Sequence, residues 1–262
     1  MKLSGKKYLI TGASSGLGLA LVKRLINIKG VKITAVARNI KTLEKMANDR
    51  IFPLSLDVTK PDNVDFMIDE AMRKMDGIDC VITCAGFGYY ERFSSDNNGY
   101  GHIERIFQTN VFSVLNTLER IIAKTEGRIS FVAISSVLGK FGLPGMALYS
   151  ATKHALEGFQ DSYRFEKPER LHYMSAYPIG LRTNFWERIA TDIPLPRPLR
   201  SADTAAIAIL KGIKAEKRVI YTSLPSRIIL CVNQVIPVLV PLYQSINKHR
   251  FYNWLKKQKS EG

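Results

Sequence analysis

The stretch Thr11–Leu25, TGASSGLGLALVKRL, decides the fold. Gly12, Gly16 and Gly18 lie between an apolar run that ends at Thr11 and a segment whose apolar residues recur at helical spacing. Glycines alone are typical of a plain turn. Between a strand and a helix, however, they let the backbone approach a ligand closely, and the first N–H groups of the helix favour a phosphate. The position therefore predicts a dinucleotide-binding loop, although its spacing is wider than G-x-G-x-x-G.

Strand and helix patterns alternate along the rest of the chain. Strands are predicted at 7–11, 31–37, 51–58, 78–86, 128–135, 171–178 and 217–222, and helices at 18–28, 40–49, 61–75, about 100–125, 146–166 and 201–215. Pro61 suits the first turn of its helix, Ser201 suits an N-cap, and Gly127 suits a position near a C-cap. Repeated βα units of this length predict one α/β domain over 1–262. We expect a doubly wound parallel sheet of about seven strands with helices on both faces.

Composition restricts the function class. The 262 residues are 46% apolar and 23% charged, and the formal net charge of +15 comes from 38 Lys and Arg against 23 Asp and Glu. The basic residues are scattered, which predicts a solvated surface rather than a nucleic-acid site. Three cysteines, an odd number, predict a reducing compartment and a cytoplasmic location. Lys2, Lys6 and Lys7 precede an apolar stretch as in a signal peptide, but the following glycines and serines interrupt it.

Two regions break the alternation. Residues 184–200 contain three prolines and mixed charges, which predicts an irregular substrate loop or lid. Residues 224–243 are strongly apolar but include Asn233, Gln234, Pro237 and Pro241, which argue against a simple bilayer span. A helix packed on the domain or in a dimer contact, an interfacial membrane contact and a transmembrane helix all stay open. An interfacial contact could use the basic residues of the tail, Lys248, Arg250, Lys256, Lys257 and Lys259.

The end of the second predicted strand discriminates between two cofactors. NAD-binding folds often place a carboxylate about 20 residues after the glycines, where it binds the ribose 2′-hydroxyl. This sequence has Arg38 there, between Ala37 and Asn39. A guanidinium would bind a 2′-phosphate, so the sequence predicts NADP(H) rather than NAD(H). A solvent-exposed arginine with no ligand is the simpler alternative.

A second group of polar residues suggests acid–base chemistry. Tyr149 and Lys153, in YSATK, share one face of a predicted helix, and an ammonium beside a phenol lowers the tyrosine pKa. Ser136 lies at the carboxyl end of the fifth predicted strand, where a hydroxyl can bind a substrate carbonyl.

We expect no functional role for two cysteines and two histidines. Cys80 and Cys84 lie too far apart along a strand to share a metal, and we expect no metal site. His102 and His154 belong to no motif, and we expect neither to be catalytic.

Together these residues resemble the short-chain dehydrogenase/reductase family from about residue 5 to 222. TGASSGLG resembles its T-G-x-x-x-G-x-G loop, LDV at 56–58 its adenine-contacting segment, TCAG at 83–86 its N-N-A-G, QTNV at 108–111 the segment with its catalytic asparagine, and PIGLRT its P-G-x-x-x-T. The resemblance implies a catalytic set of Asn110, Ser136, Tyr149 and Lys153. It implies cofactor contacts from Gly12, Ser14, Ser15, Gly16, Leu17, Gly18, Arg38, Asp57, Val58, Ala85, Gly86, Asn110, Tyr149, Lys153, Pro178 and Thr183.

Two positions depart from the family pattern. Cys84 replaces an asparagine that lines the cofactor cleft, so we expect looser hydrogen bonding there. Ile179 replaces a glycine, so we expect the geometry around the nicotinamide to differ from the family pattern. Neither change touches the four catalytic positions.

The resemblance implies an NADP(H)-dependent oxidoreductase that transfers hydride between the nicotinamide and a carbonyl or alcohol substrate. Tyr149 would be the proton donor, Ser136 would hold the carbonyl oxygen, Lys153 would lower the Tyr149 pKa and bind the ribose, and Asn110 would hold a relay water. The 184–200 loop and the apolar 224–243 segment indicate an apolar or lipid-like carbonyl substrate. The family commonly forms homodimers or homotetramers. A non-catalytic NADP(H)-binding or sensing protein stays open, as does a nucleotide-sugar epimerase or dehydratase, which usually has a longer C-terminal domain.

Overall fold

A computed structural model describes residues 1–94, 99–190, 192–196 and 199–261, with the backbone alone at 99 and 259–261. Residues 191, 197 and 198 of the predicted loop, and the side chain of Lys259 in the tail, therefore lie outside the described residues.

Seven parallel strands form the central sheet, in the order β3-β2-β1-β4-β5-β6-β9. Their bounds are β1 Lys7–Thr11, β2 Lys32–Ala37, β3 Ile51–Ser55, β4 Cys80–Thr83, β5 Ile129–Ile134, β6 Leu171–Tyr177 and β9 Val219–Tyr221. Two-residue strands β7 (Leu181–Arg182) and β8 (Arg200–Ser201) pair separately. The predicted doubly wound sheet is confirmed. The strand order reverses between β1 and β4, which opens a crevice at their carboxyl ends.

Helices cover both faces of this sheet because its strands alternate their apolar side chains between the faces. They are α1 Gly16–Leu25, α2 Lys41–Glu44, α3 Pro61–Met75, α4 Gly99–Phe107, α5 Ser113–Lys124, α6 Ala147–Glu166, α7 Phe185–Ile189, α8 Ala202–Lys214, α9 Leu224–Val235 and α10 Leu239–Glu261. Ile10 packs with the apolar residues of α1 and α8. Its neighbour Leu9 packs with those of α3, α5 and α6 on the other face. A third apolar cluster, around Tyr90 and Phe251, lies at the carboxyl edge.

Several predicted boundaries are wrong. The helix expected over 40–49 is the single turn α2, and the third strand ends at Ser55 rather than at 58. The helix expected over 100–125 is α4 and α5 joined by a π-helical turn, Gln108–Phe112. Gly127 lies two residues beyond the C-cap, Thr125, and so near the helix end as predicted, but without the positive φ of a capping glycine. The Ser201 cap is confirmed, because its hydroxyl accepts a 3.0 Å hydrogen bond from the Thr204 N–H.

The apolar C-terminal segment forms two helices, α9 and α10. The break between them contains Pro237, and Ile236 before it is extended (φ −123°, ψ 91°), as proline favours for its predecessor. The helices are bent by 112° relative to each other. Among the described residues no single helix has both the length and the apolarity to cross a membrane, whereas this bent pair meets the two criteria jointly.

Candidate active site

A cleft of about 1320 Å³ runs along the carboxyl edge of the sheet. It collects residues that are far apart in the chain. Those predicted from the sequence that line it are Gly12, Ser14, Ser15, Gly16, Leu17, Gly18, Arg38, Asp57, Val58, Ala85, Gly86, Ser136, Tyr149, Lys153, Pro178 and Thr183. The remaining predicted residue, Asn110, is buried beside the cleft.

The glycine loop can adopt its conformation only because two of its residues have no Cβ. Gly12 has φ +65°, and a Cβ there would lie 2.7 Å from the Ala85 nitrogen. A Cβ on Gly18 would lie 2.2 Å from the Gly12 carbonyl oxygen. The Thr11 hydroxyl joins this loop to the end of β4, because its Oγ1 accepts hydrogen bonds of 3.2 Å from the N–H groups of Cys84 and Ala85.

The loop fits the phosphates of a dinucleotide. Helix α1 begins at Gly16, and the side chain of Ser15, its N-cap residue, makes no capping hydrogen bond. No acidic residue occupies the first turn of the helix. The positive end of the helix dipole therefore meets the cleft without a competing carboxylate, as an anionic ligand requires.

Cys84 keeps a contact with the glycine loop despite its departure from the family pattern. Burial raises the pKa of this thiol to about 12, while Lys153 and a hydrogen bond with the Gly18 backbone lower it by smaller amounts. The side chain therefore stays uncharged, and it still bridges the end of β4 to the loop.

Arg38 and Asp57 lie at the ends of neighbouring strands and both line the cleft. Arg38 directly follows β2 and is exposed. Asp57 Oδ1 accepts hydrogen bonds from Thr59, at 3.0 Å from the N–H and 2.8 Å from the hydroxyl. Burial raises the pKa of Asp57, but these hydrogen bonds and the charge of Arg38 outweigh burial and hold the pKa below its usual value. A fixed carboxylate and a solvent-facing guanidinium thus face one end of the cleft.

Ser136, Tyr149 and Lys153 meet in the middle of the cleft. Ser136 lies two residues beyond β5, where its Oγ accepts a 3.1 Å hydrogen bond from the Leu138 N–H and orients its hydroxyl toward Tyr149. Lys153 Nζ donates a 2.9 Å hydrogen bond to the carbonyl of Ile134, at the end of the same strand. It lies 5.6 Å from the centroid of the Tyr149 ring.

In this arrangement burial outweighs the lowering of the Tyr149 pKa that the sequence predicts. Burial raises the pKa of Tyr149 to about 12, against a smaller lowering by the hydrogen bond with Ser136. Burial also lowers the pKa of Lys153 to about 8, although Cys84 and Glu157 favour its charge. Both shifts follow from removing charged forms from water. The phenol is therefore protonated at neutral pH, as a proton donor must be.

Asn110 lies in the π-helical turn, and its side chain bonds to protein atoms. Its Oδ1 accepts a 3.1 Å hydrogen bond from the Phe87 N–H, and its Nδ2 donates to the Phe87 carbonyl at 2.8 Å and to Thr152 Oγ1 at 3.1 Å. These hydrogen bonds fix the chain after β4 against α6, and a π-helical turn at such a position is common at functional sites. The role of Asn110 in holding a relay water stays a prediction.

The segment between β6 and α7 places Thr183, directly after β7, beside the glycine loop. A Cβ on Gly16 would lie 3.5 Å from the Thr183 side chain, so the two residues are in contact distance. The Pro178 carbonyl accepts a 3.1 Å hydrogen bond from the Val137 N–H, beside Ser136. Ile179, the second departure from the family pattern, packs in the apolar cluster at the carboxyl edge.

Sequence reasoning missed Glu157, a buried carboxylate one helical turn beyond Lys153. It accepts hydrogen bonds from the Ser135 hydroxyl at 2.9 Å and the Tyr177 hydroxyl at 2.6 Å, and it pairs with Lys140 at 2.6 Å. This network joins α6 to the ends of β5 and β6. The i,i+4 spacing from Lys153 was the one signal in the sequence that could have indicated it.

Arg188 was also missed, because it lies in the segment that the sequence predicts as an irregular loop. It belongs to the short helix α7, lines the cleft and places its guanidinium 3.5 Å from Ser15 Oγ. The positively charged guanidinium of Arg188 therefore lies beside the glycine loop.

The remaining candidates have structural contacts. His102 lies 3.0 Å from the Glu91 carboxylate and stacks on Tyr89, and His154 Nδ1 lies 2.8 Å from the Ser150 carbonyl. Neither is among the described residues that line the cleft. Cys80 is fully buried in β4.

Comparison with known proteins identifies relatives of this chain. A family model described as short chain dehydrogenase matches residues 6–194. A dehydrogenase/reductase SDR family protein 7-like of Dictyostelium discoideum is 31% identical over 71% of this chain and 62% of its own length. The oxidoreductase YbbO of Escherichia coli is 30% identical over 75% of both chains. A 3-dehydrosphinganine reductase of Danio rerio is 32% identical over 68% of this chain. The matched region spans 57% of the Danio protein, so this chain covers less than two thirds of two of these relatives.

Solved structures share the fold. A short chain dehydrogenase of Burkholderia cenocepacia in complex with NADP superimposes with a TM-score of 0.77 over 94% of this chain and 98% of its own, at 22% identity. One from Burkholderia phymatum in complex with NAD gives a TM-score of 0.77 over 89% and 94%, at 18% identity.

Proposed function

Because the chain belongs to the short-chain dehydrogenase family, we propose that it is an NADP(H)-dependent oxidoreductase that interconverts a carbonyl compound and an alcohol. The observation that carries the proposal is the meeting of Ser136, Tyr149 and Lys153 in one cleft with the glycine loop. The glycine loop, the segment after β5 with Ser136, and α6 with Tyr149 and Lys153 are three different parts of the chain. A purely structural role would not require a hydroxyl, a protonated phenol and a lysine to converge on a ligand-sized space.

The residues of the cleft fit a nicotinamide dinucleotide along its whole length. The glycine loop and Arg188 would hold the pyrophosphate, and Asp57 with Val58 would contact the adenine. Ala85, Gly86, Pro178 and Thr183 would contact the nicotinamide half, and Ser14, Ser15 and Leu17 belong to the loop. Lys153 would bind the nicotinamide ribose. When bound, the cofactor supplies or accepts the hydride.

Arg38 supports NADP(H) over NAD(H). It is exposed at the end of β2 and lines the cleft, and its neighbours Ala37 and Asn39 carry no carboxylate that would repel a 2′-phosphate. The NADP complex of the Burkholderia cenocepacia relative agrees with this assignment, whereas the Burkholderia phymatum relative holds NAD. The proposed preference for NADP(H) over NAD(H) therefore rests on Arg38.

Tyr149 has the protonation state that carbonyl reduction needs. Its hydroxyl would give a proton to the carbonyl oxygen while the carbonyl carbon gains the hydride, and the Ser136 hydroxyl would donate a hydrogen bond to the same oxygen. The positive charge of Lys153 would then stabilise the phenolate left at Tyr149, which regains its proton from solvent. In the alcohol-oxidising direction each transfer is reversed.

The other end of the cleft favours an apolar substrate. The side chains there include Phe141, Leu143, Met146, Leu230 and Tyr243. Two relatives have names that specify reduction of a long-chain ketone: the 3-dehydrosphinganine reductase of Danio rerio and a 3-ketodihydrosphingosine reductase of Dictyostelium discoideum, 26% identical over 93% of this chain. We infer that the substrate is a lipid-like carbonyl compound.

Single-domain organisation over 1–262, a cytoplasmic location and assembly as a homodimer or homotetramer are part of the same proposal. The cysteines are free thiols, which agrees with a reducing compartment.

The test is the variant Tyr149→Phe, assayed by NADPH oxidation across a panel of long-chain ketones, aldehydes and acyl carbonyls. We expect turnover to fall by at least about a hundredfold, because the proton donor is lost, while NADPH affinity changes little. Tyr100→Phe, at an exposed tyrosine, is the matched control and should keep full turnover. Turnover retained by Tyr149→Phe would contradict the assignment. Tight NADPH binding by the native chain without any turnover would favour a sensing protein.

A further inference from the structure

An apolar elbow protrudes at the C-terminal end of the chain. We define it as residues 224–246, which comprise α9, the break at 236–238 and the first two turns of α10. Helix α9 has no buried residue, and Val235 is 81% exposed. The large apolar side chains of the elbow that are exposed are Leu224, Ile228, Ile229, Val232, Val235, Ile236, Val238, Leu239, Leu242 and Ile246. A contiguous surface of this kind marks an interaction site.

The mouth of the cleft opens within this surface. Ile229, Leu239, Leu242 and Ile246 line the cleft and are also between 40% and 57% exposed. The same side chains therefore belong to the wall of the candidate active site and to the outer surface. Whatever covers the elbow also borders the route into the cleft.

All charged side chains in the stretch of sequence that contains the elbow are basic, and one of them, Lys257, pairs with Asp192 at 3.3 Å. No Asp or Glu occurs between Lys217 and Ser260, and the interval contains eight basic residues. They are Lys217, Arg218, Arg227, Lys248, Arg250, Lys256, Lys257 and Lys259. Arg227 lies on α9, and Lys248 lies on α10 immediately beyond the elbow; both are exposed. An apolar surface with cations beside it is complementary to the acyl chains and headgroups of an anionic bilayer.

Contacts along α10, within the elbow and beyond it, hold the elbow on the catalytic domain. Phe251 is buried, and its ring centroid lies 5.5 Å from that of Tyr90, near the candidate active site. Gln244 Nε2 donates a 2.8 Å hydrogen bond to the Gly142 carbonyl, which belongs to the loop before α6. Because α10 is fixed in this way, a surface that binds the elbow also orients the mouth of the cleft.

We propose that the elbow docks on the surface of an anionic lipid bilayer, with the mouth of the cleft facing the lipid. Its apolar side chains enter the headgroup–acyl boundary, while the basic residues contact the headgroups. An amphiphilic carbonyl compound can then pass from the bilayer into the cleft without crossing water. Only this last step rests on the proposed function, because docking itself involves no chemistry.

A second copy of the chain fits the elbow less well than a bilayer does. An isologous contact through the elbow would bring two acid-free segments together, so that cations would face cations. It would also cover the mouth of both clefts. An anionic bilayer can cover the apolar side chains with acyl chains and pair the basic side chains with headgroups. It also leaves the route into the cleft open for a lipid-like substrate.

The test measures co-sedimentation of the full chain with vesicles of phosphatidylcholine alone and of phosphatidylcholine with about 30% phosphatidylserine. We expect binding to the anionic vesicles. The double variant Val235→Asp/Val238→Asp should weaken this binding by more than about tenfold, since it removes two exposed apolar contacts. Phe66→Asp is the matched control, because Phe66 is 51% exposed on α3, away from the elbow, and binding should be unchanged.

Cys231 provides an independent readout. It is an exposed thiol on α9, whereas Cys80 is buried and Cys84 is partly buried. A polarity-sensitive fluorophore attached to Cys231 should shift to the blue on addition of anionic vesicles and be quenched by lipids that carry a quencher in their acyl chains. Cys231→Ser should abolish labelling and so prove the site of attachment.

Native protein that stays in the supernatant, with an unshifted label at Cys231, would overturn the proposal. So would equal vesicle binding by the elbow variant and the native chain. If the native chain does not bind vesicles but forms an oligomer that the double variant Val235→Asp/Val238→Asp dissociates, the elbow is a contact between copies of the chain. None of these outcomes depends on turnover, so they are separate from a failure of the proposed reductase activity.

Discussion

At the scale of single residues, burial controls the chemistry of the candidate site. Tyr149 and Lys153 lie on one turn of α6, but burial shifts the pKa of the phenol up to about 12 and that of the ammonium down to about 8. The hydrogen bond of Lys153 with Ile134 ties the lysine to the end of β5, and that of Ser136 with Leu138 fixes the serine hydroxyl at the turn that follows this strand. The i,i+4 spacing of the motif predicts that Tyr149 and Lys153 are neighbours, whereas their burial decides which of them is protonated.

The buried charge of Lys153 should make stability depend on pH. In the folded chain Lys153 loses its proton near pH 8, whereas an unfolded lysine keeps it to about pH 10.4. Between these values the unfolded state binds more protons, so stability rises with pH; below about pH 8 the full cost of burial is present. Lys153→Met should therefore gain stability relative to the native chain at pH 7 and lose about 2–3 kcal/mol of that advantage by about pH 10.5.

Denaturant unfolding at several pH values measures this difference. Lys23→Met, at an exposed lysine on α1, supplies the background for loss of one surface lysine. A difference between Lys153→Met and the native chain that is constant from pH 7 to about pH 10.5 would show that Lys153 is not desolvated.

Arg38 should determine the choice of cofactor. Arg38→Asp should weaken NADPH binding by at least about tenfold and strengthen NADH binding, since a carboxylate repels a 2′-phosphate and accepts a hydrogen bond from a 2′-hydroxyl. Fluorescence titration with both cofactors measures the ratio. Arg50→Asp, at an arginine that directly precedes β3 and does not line the cleft, is the control. An unchanged ratio in Arg38→Asp would remove the arginine from the cofactor site.

At the scale of elements, the turn between β1 and α1 shows how local rules produce a binding site. Positive φ at Gly12, and the absence of room for a Cβ at Gly12 and Gly18, allow the chain to fold against the end of β4. The π-helical turn between α4 and α5 has no comparable sequence signal. It places Asn110 against Phe87, a contact that depends on the neighbouring strand and not on helix propensity.

Gly18→Ala should damage the glycine loop. Its Cβ would lie 2.2 Å from the Gly12 carbonyl oxygen, so the loop must move away from the conformation that admits a pyrophosphate. We expect NADPH affinity to fall by more than about tenfold and stability to fall by about 1–3 kcal/mol. Isothermal titration and thermal unfolding measure the two effects.

The chain offers a matched control for that substitution. Gly158 is exposed in the middle of α6 and has open space where a Cβ would lie. Gly158→Ala should therefore raise stability by up to about 1 kcal/mol through helix propensity. If both alanines have the same effect, the close approach of the loop is not what requires glycine at position 18.

At the scale of the whole molecule, charge and shape act together. The net charge of +15 would attract an anionic cofactor, and the interval without acidic residues that includes the elbow contains eight of the basic residues. The apolar surface of the elbow borders the mouth of the cleft. Long-range attraction would thus bring the protein to anionic surfaces, and apolar contact would hold it there.

This charge predicts that cofactor binding is sensitive to salt. Raising the ionic strength from about 0.1 M to about 1 M shortens the screening length from about 10 Å to about 3 Å. The association rate of NADPH, measured by stopped-flow fluorescence, should fall by several-fold or more because steering by the net charge is lost. A rate independent of salt would show that the surface charge does not reach the cleft.

The sequence by itself determined the order of strands and helices, the glycine loop and the positions of Ser136, Tyr149 and Lys153. These follow from periodicity, turn chemistry and spacing, which act between residues close together in the chain. Only the tertiary structure decided the pKa of Tyr149, the hydrogen bonds of Asn110, the network around Glu157, the approach of Arg188 to Ser15 and the bend that exposes the elbow. Each depends on burial or on contacts between distant segments, and the packing of the folded chain alone sets those.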